Sequence, residues 1–131
     1  MNCKAAVPKA AILRWALAAL AAGCAGESDD AKDAVAQGKA LFIRNGCAVC
    51  HGPDGRGDGQ IAATLKPPPR DFRDPAAYKN GHSKAAIART IQKGMPGTSM
   101  PGYGHLSAEE RAQMAAYIRS LLEEKENEDT P

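Results

Sequence analysis

Cys47, Cys50 and His51 form the group of side chains in this sequence best suited to chemistry. They make up the segment Cys-x-x-Cys-His. Residues i and i+3 lie on one face of a helical turn, so both thiols can reach the same edge of one flat ligand. In c-type haem attachment, two thiols add across two vinyl groups of a porphyrin, and the adjacent imidazole binds the iron. We therefore predict one covalently attached haem c, held by Cys47 and Cys50, with His51 as an axial ligand.

Two other uses of a Cys-x-x-Cys pair are less consistent with the sequence. A structural zinc site needs four ligands, and the chain has no second pair of this kind. A thioredoxin-like dithiol would lie near a βαβ pattern, and none is visible. The His that directly follows the second Cys is the feature that favours haem attachment.

A second stretch, residues 94–103, offers soft ligands for the other side of an iron. It is too rich in Gly and Pro to be regular, and it contains Met95 and Met100. A thioether on haem iron favours the ferrous state and raises the reduction potential. A loop can also bring a sulfur to the face of the ring opposite His51. The alternatives are His105 or an open sixth position.

The remaining pattern predicts helices that would frame this site. Apolar residues recur at helical spacing over residues 31–45, 84–93 and 108–124. The predicted N-cap residues are Asp30, Ser83 and Ser107, the last in a capping box with Glu110. Gly46 and Gly94 fit the positions just past two of these helices.

The segments between the predicted helices are expected to be irregular, apart from a helical turn at 61–65. The run Pro67-Pro68-Pro69 keeps its carbonyls but has no N–H donors. We expect one of these carbonyls to accept a hydrogen bond from Nδ1 of His51, which would fix the imidazole tautomer. Arg70 and Arg73 are either solvated or within reach of a haem propionate.

Residues 1–23 are predicted to be a signal peptide. A basic start is followed by a short apolar run and small residues, and the run is too short for a permanent membrane span. The sequence Leu-Ala-Ala-Gly-Cys ending at Cys24 resembles the lipobox of bacterial lipoproteins. We therefore expect export and a lipid anchor at Cys24 on the periplasmic side of a bacterial membrane. Ordinary cleavage near Cys24, giving a soluble protein, is the alternative.

The charge is unevenly distributed along the chain. The whole sequence carries +2, but residues 38–122 hold twelve Lys and Arg against six Asp and Glu. The flanks are acidic: residues 24–33 are expected to be a flexible tether, and residues 124–131 a charged, frayed tail. The basic body is either ordinary solvated surface or a face that steers toward an acidic redox partner. No basic run or aromatic platform indicates a nucleic-acid partner.

With these features placed, residues 34–123 resemble the class I c-type cytochromes. The resemblance depends on the Cys-x-x-Cys-His segment, the run 52–57 (Gly-Pro-Asp-Gly-Arg-Gly), the run 97–101 (Gly-Thr-Ser-Met-Pro) and the closing run 117–121 (Tyr-Ile-Arg-Ser-Leu). It implies an all-α fold of three to four helices around one covalent haem. It also implies that the N- and C-terminal helices cross near Gly38, Phe42 and Tyr117.

The same resemblance implies roles for residues and for the protein. The family's sixth ligand is the Met of the Gly-Thr-x-Met-Pro run, which corresponds to Met100, with Met95 as the runner-up. The implied function is one-electron transfer between redox proteins, by a carrier that is not itself an enzyme and that we expect to be monomeric. The alternatives are a permanent haem subunit of a dehydrogenase or oxidase complex, or a peroxidase-like or gas-binding haem protein.

Overall fold

A computed structural model describes residues 29–130. The predicted signal peptide and Cys24 lie outside these residues. Within residues 29–130 the chain forms four α-helices, two short 3₁₀ turns and no strand, which confirms the predicted all-α fold. The helices are α1 (Asp29–Arg44), α2 (Cys47–His51), α3 (Lys84–Lys93) and α4 (Ala108–Glu128), and the 3₁₀ turns are Ala62–Thr64 and Pro75–Ala77. No helix of the described part is both long enough and apolar enough to cross a membrane.

The first and last helices pack closely against each other at Gly38. A Cβ atom at this position would lie 2.6 Å from the carbonyl carbon of Gln113 and 2.9 Å from the Cβ of Tyr117. Only glycine allows the two backbones to come this close. This contact confirms the prediction that the terminal helices cross at Gly38 and Tyr117.

An aromatic cluster fills the core beneath this helix pair. Phe42 of α1 is almost completely buried. Its ring meets the ring of Phe72 edge-on at 6.1 Å between centroids, and that of Tyr117 at 5.5 Å. Such geometry is the preferred one for aromatic pairs. Met114 and Leu122 of α4 complete the most deeply buried set.

The helix ends largely follow the sequence signals. Ser83 caps α3 by accepting from the N–H of Ala86, and Ser107 and Glu110 form the predicted capping box of α4. The predicted helical turn at 61–65 is the 3₁₀ turn Ala62–Thr64. Gly46 takes the left-handed conformation, with φ of 73°.

Two segments are more helical than the sequence predicted. Helix α1 begins at Asp29, inside the stretch 24–33 expected to be a tether. Helix α4 continues to Glu128, beyond its predicted end at Glu124. Ion pairs along α4 explain the extension, since Lys125 contacts Asp129 at 2.6 Å and Arg119 contacts Glu123 at 3.0 Å. Pairs at i and i+4 favour the helical conformation.

Candidate functional site

A cavity of about 360 Å³ lies between helix α2 and the Met-containing loop. Its volume is within the range of small-molecule and cofactor sites. The residues predicted for the site from two distant parts of the sequence line it together. They are Cys47, Cys50, His51, Met95 and Met100. His105 is exposed and does not line this cavity.

The glycine-rich loop after α2 holds the two cysteines and the histidine at the cavity wall. The N–H of Gly59 donates to the carbonyl of Cys50 at 3.1 Å, and the N–H of Gly57 donates to that of His51 at 2.8 Å. A Cβ at Gly59 would come within 2.5 Å of the Cys50 carbonyl carbon. The loop therefore satisfies the free carbonyls at the end of this short helix, at a distance that only glycine permits.

His51 is presented as a neutral imidazole. It is 9% exposed, and its ring stacks on Phe72 with 4.4 Å between ring centroids. Burial lowers the pKa of His51 to about 4, although the backbone of Arg70 partly offsets this effect. A neutral ring keeps a nitrogen lone pair free for a metal at physiological pH.

The predicted hydrogen bond from the proline run to His51 is wrong. Nδ1 of His51 is buried and has no hydrogen-bond partner among the described residues. The backbone group that raises the pKa of His51 belongs instead to Arg70, which directly follows the three prolines. An orphaned buried nitrogen is costly, and its presence next to the cavity is typical of a binding site rather than of a packed core.

The two methionines differ in their surroundings. The Met95 sulfur accepts hydrogen bonds from Nη2 of Arg70 at 3.5 Å and from Nδ2 of Asn80 at 3.4 Å. Within residues 29–130, the Met100 sulfur accepts no hydrogen bond from a side chain. Thioethers are weak acceptors, but two donors on one sulfur and none on the other make Met100 the freer ligand.

Of the two arginines considered from the sequence, Arg70 lines the cavity and Arg73 does not. Arg70 is half-buried and lies over the ring of Tyr78 with its guanidinium carbon 5.3 Å from the ring centroid. Arg73 instead pairs with Asp71 at 2.8 Å. The sequence left Arg70 and Arg73 as equal candidates, because spacing alone does not distinguish two arginines that are three residues apart. Lys79 and Tyr103 also line the cavity.

The side chains of this cavity fit a haem better than a bare metal ion. No group of three or more His, Cys, Asp or Glu residues able to hold a metal occurs among the described residues. The cavity offers one imidazole, two thioethers, two free thiols and an arginine. They suit a haem, which brings four nitrogens for its own iron. The thiols can bond its two vinyl groups, the imidazole and one thioether can bind the iron, and the arginine can pair with an acidic side chain of the ring.

Comparison with known proteins agrees with this reading. The family model for cytochrome c matches residues 35–122. One similar solved structure is a chain of a reducing HAO-like protein complex from Kuenenia stuttgartiensis, with 30% sequence identity and a TM-score of 0.63. That similarity covers 70% of this chain and 44% of the other. A search of curated proteins found no match.

The chain belongs to the cytochrome c family. Cytochrome c domains are electron-transfer haem proteins, and the family implies a covalently bound haem c. The Cys-x-x-Cys-His segment supplies the spacing that this attachment requires.

Proposed function

We propose that this protein is a one-electron carrier whose haem is attached to Cys47 and Cys50 and whose iron is held between His51 and Met100. The observation that carries the proposal is that the Cys-x-x-Cys-His helix and the loop 94–103 line the same cavity. The free sulfur of Met100, compared with the hydrogen-bonded sulfur of Met95, supports Met100 as the second ligand.

The haem supplies a metal that gains and loses one electron. The chain supplies two ligands that need not be exchanged, so little rearrangement accompanies the transfer. Phe72 stacked on His51 fixes the imidazole plane, and Phe42 packs edge-on against Phe72 in the core. The apolar residues of the cavity wall, such as Leu65 and Pro68, would exclude water from a bound haem.

Ligation is tested by maturing the protein with a c-type haem assembly system and recording spectra during a redox titration. We expect a pigment that acidified acetone does not extract, a ferric sulfur–iron charge-transfer band in the far red, and slow carbon monoxide binding by the reduced protein. Rapid carbon monoxide binding and no sulfur band would contradict the His51/Met100 assignment. That outcome would favour the gas-binding or peroxidase-like alternative.

We further propose that the carrier works on the periplasmic side of a bacterial membrane, anchored through a lipid on Cys24. The lipobox-like sequence supports this location, and two acyl chains suffice for stable anchoring. Labelled palmitate should be incorporated into the wild type and not into Cys24→Ser, and the variant should be recovered in the soluble fraction. A soluble, unlabelled wild type would refute the anchor without affecting the haem assignment.

A second candidate is a permanent haem subunit of a larger redox complex. The supporting observation is that the similar structure from Kuenenia stuttgartiensis comes from a protein complex. Purification from the native membrane in mild detergent distinguishes the two. Stoichiometric co-purification of a redox enzyme supports the subunit, and a free monomer supports the mobile carrier.

A further inference from the structure

Residues Gly94–Tyr103, here called the Met loop, close on themselves through their own backbone. The N–H of Met95 donates to the carbonyl of Met100 at 3.2 Å, and the N–H of Tyr103 donates to the carbonyl of Ile91 at 2.8 Å. At the base, a Cβ on Gly94 would lie 2.7 Å from the nitrogen of Gly102. The two ends of the loop are therefore in direct backbone contact, and Met100 lies near its closing point.

One side chain links the two methionine positions inside this loop. The hydroxyl of Thr98 donates to the carbonyl of Met95 at 2.7 Å and accepts from the N–H of Met100 at 3.1 Å. The N–H of Thr98 also donates to the Met95 carbonyl, at 3.1 Å. Thr98 is half-buried and lines the cavity. Its hydroxyl is thus the connection between the backbone of Met95 and that of Met100.

We propose that Thr98 is a positioning residue whose two-sided hydroxyl bridge holds the Met100 backbone in the orientation that directs its sulfur toward His51. This inference rests on the proposed function, since it assumes that Met100 is the second ligand. Without the bridge, Met100 keeps only its carbonyl contact with Met95. The loop then populates open states in which the axial position is free for another ligand.

The consequence is measurable as the affinity of the ferric protein for added imidazole. Imidazole competes with Met100 for one position, so its apparent affinity scales with the fraction of protein in the open state. A neutral hydrogen bond shifts an equilibrium by about fivefold, so losing both bonds should raise the open population by about tenfold or more.

The experiment uses the matured holoprotein and three substitutions. Thr98→Val keeps the β-branched shape and removes the hydroxyl, and we expect it to bind imidazole about tenfold more tightly than the wild type. Thr98→Ser keeps the hydroxyl and should stay within about twofold of the wild type. Thr64→Val is the matched control, because the Thr64 hydroxyl also donates to a backbone carbonyl, that of Ile61 at 2.7 Å, but outside the cavity.

Several outcomes would overturn the inference. Wild-type imidazole affinity in Thr98→Val would do so, as would an equal change in Thr98→Ser or Thr64→Val. If Thr98→Val does not mature, amide exchange in the wild-type holoprotein decides instead: the Met100 amide should exchange more slowly than the adjacent Ser99 amide, and equal rates would refute the bridge. Failure of the proposed function is distinguishable, because the ferric wild type would then lack its sulfur–iron band.

Discussion

At the scale of single residues, the two methionines of the Met loop have distinct surroundings. Arg70 and Asn80 both donate to the Met95 sulfur, and this places Met95 as a contact between the loop and the 70–80 segment. Met100 has no such donors within the described residues, so its sulfur can face the ring. Two methionines of one loop therefore differ in the hydrogen-bond donors that surround their sulfur atoms.

This distinction predicts opposite effects of two matched substitutions. Met100→Ala should abolish the ferric far-red sulfur–iron band and let the reduced protein bind carbon monoxide rapidly, because the ligand is gone. Met95→Ala should retain the band. Optical spectra of both holoproteins check this, and retention in Met100→Ala with loss in Met95→Ala would reverse the assignment.

Arg70 predicts an effect on the reduction potential. Its guanidinium lines the cavity and forms no ion pair within the described residues, so its positive charge should favour the reduced haem and suit a propionate. Arg70→Gln should lower the potential by an amount on the order of tens of millivolts. Arg73→Gln is the control, because Arg73 is neutralised by Asp71. An optical redox titration measures both, and equal shifts would argue against a specific role for Arg70.

At the scale of helices, the contact at Gly38 holds the two terminal helices together. Gly38→Ala should separate α1 from α4 and lower the free energy of unfolding by about 1–3 kcal/mol, as overpacking does. Lys39→Ala, on the exposed side of the same helix, should change it by less than about 0.5 kcal/mol. Denaturant unfolding of the holoproteins tests this pair, and equal stabilities would show that the helices can move apart at little cost.

The capping box of α4 predicts how the protein responds to acid. Hydrogen bonds from the backbone and side chain of Ser107 hold the pKa of Glu110 below its ordinary value of 4.5. A carboxyl with a lowered pKa stabilises the fold above its unfolded pKa, and this contribution is lost as the pH falls through the folded pKa. Glu110→Gln cannot titrate, so its stability should decline less steeply than that of the wild type below about pH 5. Thermal unfolding as a function of pH measures the difference, and parallel profiles would contradict the prediction.

At the scale of the whole molecule, charge is segregated. Arg44 at the end of α1 contacts Glu110 at the start of α4 at 3.6 Å, whereas Val35 and Glu128 line one surface cleft. The two helices therefore run in opposite directions, so the first turn of α1, with Asp29 and Asp30, lies at the same end of the helix pair as the last turns of α4. Among the described residues, the haem cavity is lined by Arg70 and Lys79 and by no Asp or Glu.

This asymmetry predicts a salt effect on electron exchange. Oxidation of the reduced protein by anionic ferricyanide should slow as ionic strength rises, because salt screens attraction to the basic body. Residues 38–122 hold twelve Lys and Arg against six Asp and Glu, so a net charge of +4 remains when two haem propionates are counted. Oxidation by a cationic cobalt complex should show the opposite trend. Lys79→Gln should weaken the salt dependence, while Lys125→Gln, near the acidic end, should not. Stopped-flow rates that do not depend on salt would refute steering by this surface.

The sequence by itself determined the chemistry and most of the framework. Cys47, Cys50 and His51 encode haem attachment by spacing alone, because three residues within one helical turn need no distant partner to face one way. Ser83 and Ser107 mark helix starts for the same reason, since a cap bonds to a backbone N–H only three residues ahead. Local chemistry of this kind can be read without a fold.

Only the tertiary structure decided the environment of the site. It separated the two methionines by bringing donors 15 and 25 residues away in sequence to one sulfur. It left Nδ1 of His51 without a hydrogen-bond partner among residues 29–130 and placed Arg70 in the cavity wall. The physical reason is that burial and hydrogen-bond competition depend on which distant segments pack together, and residue type and spacing do not record this.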